Sequence, residues 1–319
     1  MNAAVFSPPS APDRSIAVVG AGRLGSVLAR ALGEAAYDVI GPLGRGDAIP
    51  AVDVVLLCVP DAAIHDAAEV ARPHARMIGH VSGATGLDAV DFSIHPLQTF
   101  TGSEAPTVFR GIGAAIDGRT PEALAVAEQL AYALGAHPFR VDDAHRAGYH
   151  ASASIASNLL LAVLDAAEQV AGSAGIPATE ARAILAPLVR QTVENWVEVG
   201  AAEALTGPIA RGDEETVARQ RAAVDVAVPD LLTLFDALIA QTRTLAETAV
   251  DSVSSRFAVP ERGAERRDEG RSTTPGGADA GDGDSSRSAV PERGAERRDE
   301  GRSGTVERES TTDIGRDRA

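Results

Sequence analysis

Apolar positions fall into two regimes along the chain. Short β-rich runs occupy 16–20, 38–40, 53–59, 77–81, 92–95 and 113–116, separated by turn signals or helical stretches, and a last run at 139–141 closes the series. Beyond it only helical spacing remains, over about 144–171, 178–199, 214–227 and 229–250. Asp213 is placed to cap the third of these helices, and Pro229 sits in the first turn of the fourth. Strands alternating with helices predict an α/β fold, a doubly wound and mostly parallel sheet, here followed by an all-helical second domain. The expected division is 15–141 for the sheet domain and 142–250 for the helical one.

Composition changes the picture at both ends. Residues 1–14 are rich in Pro and Ser, and from Asp251 to Ala319 the chain turns to Arg, Asp, Glu, Gly, Ser and Thr. Such mixtures bury too little apolar surface to offset chain entropy, so both ends read as disordered. The tail repeats "AVPERGAERRDEGRS" at 258–272 and 289–303, too polar to stack as a solenoid and better read as a duplicated linker.

The formal net charge is -16, and every basic side chain other than histidine is arginine, because the chain has no lysine. An acidic balance argues against nucleic-acid partners, which need basic patches to neutralise phosphates. The sole cysteine, Cys58, lies inside the apolar run "VVLLCVP", which excludes an internal disulfide and suits a reducing compartment, the cytoplasm. No signal peptide and no run of 18 apolar residues directs the chain to a membrane.

Candidate chemistry begins at "IAVVGAGRLGSVLARAL", where a strand meets Gly20, Ala21, Gly22, Arg23, Leu24 and Gly25 and passes straight into a helix. Strand before and helix after make this G-x-G-x-x-G a dinucleotide site: Gly20 for the tight turn, Gly22 for close approach of the pyrophosphate, Gly25 for helix–strand packing. The helix N-terminus would supply amide donors and a favourable dipole. Val59 and Pro60, ending the next apolar strand, would border the same cofactor. At the end of the second strand, "VIGPLGRG" offers no acid before Asp47, so Arg45, helped by Arg23, points to NADP through its 2'-phosphate. The competing reading of Arg45 is an ordinary solvated loop arginine. The crossover 41–52 is short for a full helix.

With these elements in order, "DVVLLCVPD", "HVSGATG", "SIHPLQTF", "YHASASIASN" and "LTGPIARGD" resemble a family of oxidoreductases in which a Rossmann-like domain precedes a helical domain of unknown function. The resemblance spans 15–250. It implies kinship with pyrroline-5-carboxylate reductase, ketopantoate reductase, prephenate dehydrogenase and the β-hydroxyacid dehydrogenases, NADP-linked hydride transfer, and a homodimer formed through the helical domain. In β-hydroxyacid dehydrogenases a lysine precedes an asparagine by four residues on the first long helix of the second domain. Asn158 resembles that asparagine, and Ser154 stands at the lysine's place.

With no lysine in the chain, either another group handles the proton or the chemistry is different. Histidine suits neutral pH without tuning. His95 ends a strand at the carboxyl edge of the sheet and resembles the His-Pro of prephenate dehydrogenases, while Ser82 resembles the serine those enzymes carry after the preceding strand. His150, Ser154 and Asn158 are spaced by four, which on a helix forms one polar stripe, read here as facing the cleft. The plainer alternatives are a strand-end histidine bonded to backbone and serines serving helix packing. His65, His74, His80, His137 and His145 read as structural. In "LTGPIARGD", Arg211 could hold a substrate carboxylate with help from Thr206, or simply pair with Asp213 or Glu215. Gln98 and Thr99 are weaker candidates for orienting substrate.

The combined expectation is an NADP-dependent oxidoreductase acting on a small keto, imino or hydroxy carboxylate, with no metal, nucleic acid or membrane partner. Two alternatives stay open: an NADPH-dependent reductase of a flavin or deazaflavin partner, and a catalytically silent NADP-binding sensor.

Overall fold

A computed structural model describes residues 14–257. The repeated tail sequence, and nearly all of both segments read as disordered, lie outside the described residues.

The sheet half runs β1 (Ser15–Val19), α1 (Arg23–Glu34), β2 (Asp38–Leu43), β3 (Val52–Leu57), α2 (Ile64–Ala71), β4 (Ala75–His80), β5 (Phe92–Pro96), β6 (Gly113–Gly118), α3 (Pro121–Ala133) and β7 (His137–Arg140). These seven strands form one sheet in the order β2-β1-β3-β4-β5-β6-β7. Period-two alternation divides their apolar side chains between two cores. Ile16, Val18, Val54 and Leu56 face α1 and α3, whereas Ala17, Val55 and Leu57 face Ile64, Ala68 and Ala71 of α2. As the short crossover requires, β2 and β3 are joined by a loop with no helix. The sheet is parallel from β2 to β5. Between β5 and β6 the direction reverses, because the chain returns at the same edge, where the Leu97 amide bonds the Gly113 carbonyl at 2.8 Å.

After β7 the chain is helical: α4 (Arg146–Ser154), a π turn (Ile155–Leu159), α5 (Leu160–Ser173), α6 (Ala178–Ala204), α7 (Gly207–Ala210), α8 (Glu214–Ala227) and α9 (Leu232–Phe257). Asp213 caps α8 as expected, its carboxylate accepting from the Thr216 amide at 3.0 Å. The helix α9 continues past Asp251, where the composition changes. From α4 through α5 the helix is continuous over Arg146–Ser173, and by length and composition it could cross a membrane. Alanines and leucines raise its average although no unbroken apolar run exists, and its most apolar window is unburied.

Candidate functional site

The carboxyl edge of β1, β3, β4 and β5 gathers the groups of interest. At β1 the turn is built as the glycine spacing requires. Gly20 has φ +117 and sits against the Cys58 backbone, and a Cβ on Gly25 would collide with the Gly20 carbonyl. Gly22, by contrast, has nothing within 4 Å of where a Cβ would stand. It is also the N-cap of α1, which has no side-chain cap and no acid in its first turn. Open space in front of uncapped amides at a helix start fits a pyrophosphate. Ala21 and Arg23 are exposed, while Leu24 packs on the core and can offer a ligand only its backbone. Val59 packs on the other core and Pro60 is exposed.

Arg45 is exposed in the turn after β2, beside Gly46 with φ +90. Asp47 closes that turn, its carboxylate accepting from the Gly44 amide at 2.7 Å. Spacing had put this acid beyond reach of the strand end; the turn brings it back. A hydroxyl-bearing loop, 101–104, lies against α1, with Gly102 beside Arg23 and the Arg30 guanidinium donating to the Glu104 carbonyl at 2.7 Å. Three donors from Thr101 and Gly102 converge on the Glu104 carboxylate and hold it down at about 2.

The second cluster forms where α4 lies along β5. Arg146 and Tyr149, three residues apart on α4, meet Ser93 and His95, two residues apart on β5, so the helix lies along the strand. At the first level, buried Arg146 donates to Ser93 Oγ at 3.2 Å and to Asp143 at 3.0 Å, and lies 3.7 Å from Asp117. Asp117 and His80 are the register partners of Ser93 on either side, so a polar row crosses β4, β5 and β6. At the second level, His95 Nδ1 meets the Tyr149 hydroxyl at 2.7 Å, and the His150 ring stands 6.0 Å from that of His95. Gly83 fills the remaining gap: a Cβ there would come within 2.8 Å of both His95 and His150.

Burial first, and then electrostatic repulsion from His150 and Arg146, pushes the His95 ring down to about 4. Burial pushes Tyr149 up to about 12 and Cys58 likewise to about 12. His80 is fully buried, bonded through Nε2 to the Gly86 carbonyl and through Nδ1 to the Ser82 amide, a structural role as expected.

His95 and His150 are thus brought together, with Ser82 nearby. The Ser82 hydroxyl is turned into its own loop, accepting from the Ala84 and Thr85 amides at 3.1 and 3.0 Å. Of the three residues spaced by four, His150 and Ser154 are half-buried on α4, while Asn158 lies in the π turn and is exposed. Gln98 is exposed and its side chain folds onto the Thr99 amide at 2.8 Å. Thr206 and Arg211 flank α7, which packs on α8 and α9. Arg211 is exposed and forms no ion pair among the described residues, since Asp213 caps α8 and Glu215 pairs with Arg219. Tyr149 and Gly83 were missed. Their signals were slight: a tyrosine adjoining the stripe histidine, and a glycine adjoining the loop serine.

Comparison with known proteins agrees with this architecture. Residues 112–242 match a domain of unknown function, DUF2520. That match takes in β6 and β7 as well as the helices. No curated protein matches the chain. Among solved structures, a candidate NADP oxidoreductase from Bacteroides fragilis, BF3122, aligns with TM-score 0.61 at 19% identity, covering 73% of this chain and 98% of its own. Protein TM1727 from Thermotoga maritima aligns with TM-score 0.60 at 23% identity, again over 73% of this chain and 98% of its own. These likenesses establish a shared fold, a Rossmann-like sheet with a helical half.

Proposed function

We propose that the chain is an NADP-dependent oxidoreductase moving a hydride between NADP(H) and a small carboxylate that bears a keto, imino or hydroxy group. The observation that carries this reading is the open cradle at Gly22, on the same sheet edge as the His95, Tyr149 and His150 cluster. The fold neighbour described as a candidate NADP oxidoreductase supports it. When bound, the nicotinamide supplies or takes up the hydride. The α1 amides hold the pyrophosphate, Arg45 meets the 2'-phosphate, and His95 with His150 serves the substrate oxygen that gains or loses a proton. Ser154, Asn158 and Arg211 remain candidates for orienting substrate.

The unburied helices favour a second copy of this chain as partner. Leu161, Leu188, Trp196, Val197 and Val226 are each more than half exposed. An apolar cavity of about 280 Å³ opens beside them, lined by Val163, Val170, Leu231, Leu234 and Phe235. A bilayer is a poorer occupant, because α5 carries Asp165, Glu168 and Gln169. The buried, unreactive Cys58 thiol fits the cytoplasm.

Fluorescence titration with NADPH and NADH tests the cofactor, with Arg45→Ala alongside. The expected result is NADPH binding that weakens selectively in the variant; absence of binding by either nucleotide overturns the reading. Turnover of keto acids that is lost in Arg211→Ala separates a carboxylate substrate from a flavin partner.

A further inference from the structure

The pair formed by His95 and Tyr149 deepens that reading and rests on it. The Tyr149 hydroxyl has no other hydrogen-bond partner among the described residues, and the Tyr149 ring packs edge-on against Phe139 at 5.8 Å between centroids. An imidazole nitrogen is a better acceptor than a phenol oxygen, and a phenol a better donor than a neutral imidazole N–H, so the hydroxyl donates to Nδ1. Donation to Nδ1 is the arrangement that satisfies both partners. A neutral imidazole whose Nδ1 accepts must carry its proton on Nε2. Among the described residues Nε2 has no partner, yet no buried side-chain nitrogen or oxygen there is left unpaired. This nitrogen therefore keeps access to solvent.

We infer that Tyr149 is a positioning residue that fixes His95 as a neutral donor, its Nε2 proton presented to the substrate's reacting oxygen. As the carbonyl carbon gains a hydride from a reduced nicotinamide, the C–O π pair passes to oxygen. That oxygen takes the Nε2 proton while the Tyr149 proton passes to Nδ1. The imidazole is then neutral with its proton on Nδ1; one proton from solvent enters at Nε2 while Nδ1 returns its own to the phenolate, restoring the resting tautomer. Even pushed up to about 12, the phenol is a stronger acid than an alcohol, so the transfer runs downhill. The groups around His95 agree with neutrality. His150 and Arg146 from α4 and His80 from β4 oppose a charged ring, and only Asp61, in the turn after β3, favours one.

The test is two-bond 1H–15N spectroscopy of the full chain labelled in histidine, with the His95 signals assigned through His95→Gln. Wild-type protein should show Nε2 protonated and Nδ1 bare, unchanged from pH 8 to about 5. A proton on Nδ1, or protonation of the ring near 6.5, overturns the proposal whether or not any variant folds. In Tyr149→Phe the two tautomers should mix and kcat should fall by roughly 100-fold with KM little changed. An unchanged tautomer in that variant also overturns it. Failure of NADPH to bind would instead sink the oxidoreductase reading and leave the tautomer result standing.

Discussion

The two halves of the molecule bury their apolar residues to different degrees. In the sheet half, strand after strand reaches full burial, as at Ile16, Val18, Val55 and Leu57. In the helical half, the buried apolar residues among those described are Ala181, Val217, Val224 and Ile239, while larger side chains such as Leu161 and Val197 face outward. Both halves are patterned strongly enough to be read from sequence. A pattern says which positions are apolar, and only the fold says whether one chain suffices to cover them. The sheet half is complete in a single copy; the helical half leaves an apolar face uncovered, the face proposed above as an interface with a second copy.

The comparison breaks most easily at that interface. Leu161→Glu combined with Val197→Glu should weaken self-association at least roughly 100-fold by sedimentation equilibrium. A wild-type protein that is monomeric at all concentrations would remove the contrast. Inside the sheet half, Arg146→Met leaves buried Asp117 without its buried partner and should cost about 3 kcal/mol in urea unfolding, with the association constant unchanged.

The titration of His95 sharpens the contrast in another way. The unfolded ring takes a proton near 6.5 and the folded ring only at about 4, so stability is full above 6.5 and declines as pH falls from there toward 4. The decline due to His95 should reach about 3 kcal/mol by pH 4, and His95→Gln should remove it, His80 adding to the decline in the same direction. Gly83→Ala drives a methyl group between His95 and His150 and should lower kcat/KM about tenfold with little change in cofactor affinity. The smallest effect is at the strand end. Asp47→Asn removes a carboxylate beside Arg45 and should raise the preference for NADPH over NADH about threefold, read by competitive titration.

Much of this was legible. Six strands follow from short β-rich runs, β7 begins two residues before the last run and is largely exposed, and the glycine turn follows from spacing joined to its flanking strand and helix. What was not legible depends on elements meeting. Tyr149 matters because α4 runs in step with β5, and no local pattern encodes that alignment. Asp47 returns to Gly44 only once the turn closes. Spacing by four places Asn158 on a regular helix and cannot register the π turn in which it lies. The crowding at Gly83 is a fact about two histidines that arrive from separate elements.

The polar row of His80, Ser93 and Asp117 has a consequence for folding fidelity. It lies where the sheet changes from parallel to antiparallel, and β6 pairs with β5 over only five residues. A slip of one residue would turn Ile94 toward the Arg146 guanidinium and send Ser93 into the apolar layer. The buried arginine thus acts as a checksum on strand pairing: its guanidinium finds Ser93 and Asp117 together only on a sheet assembled in the right frame.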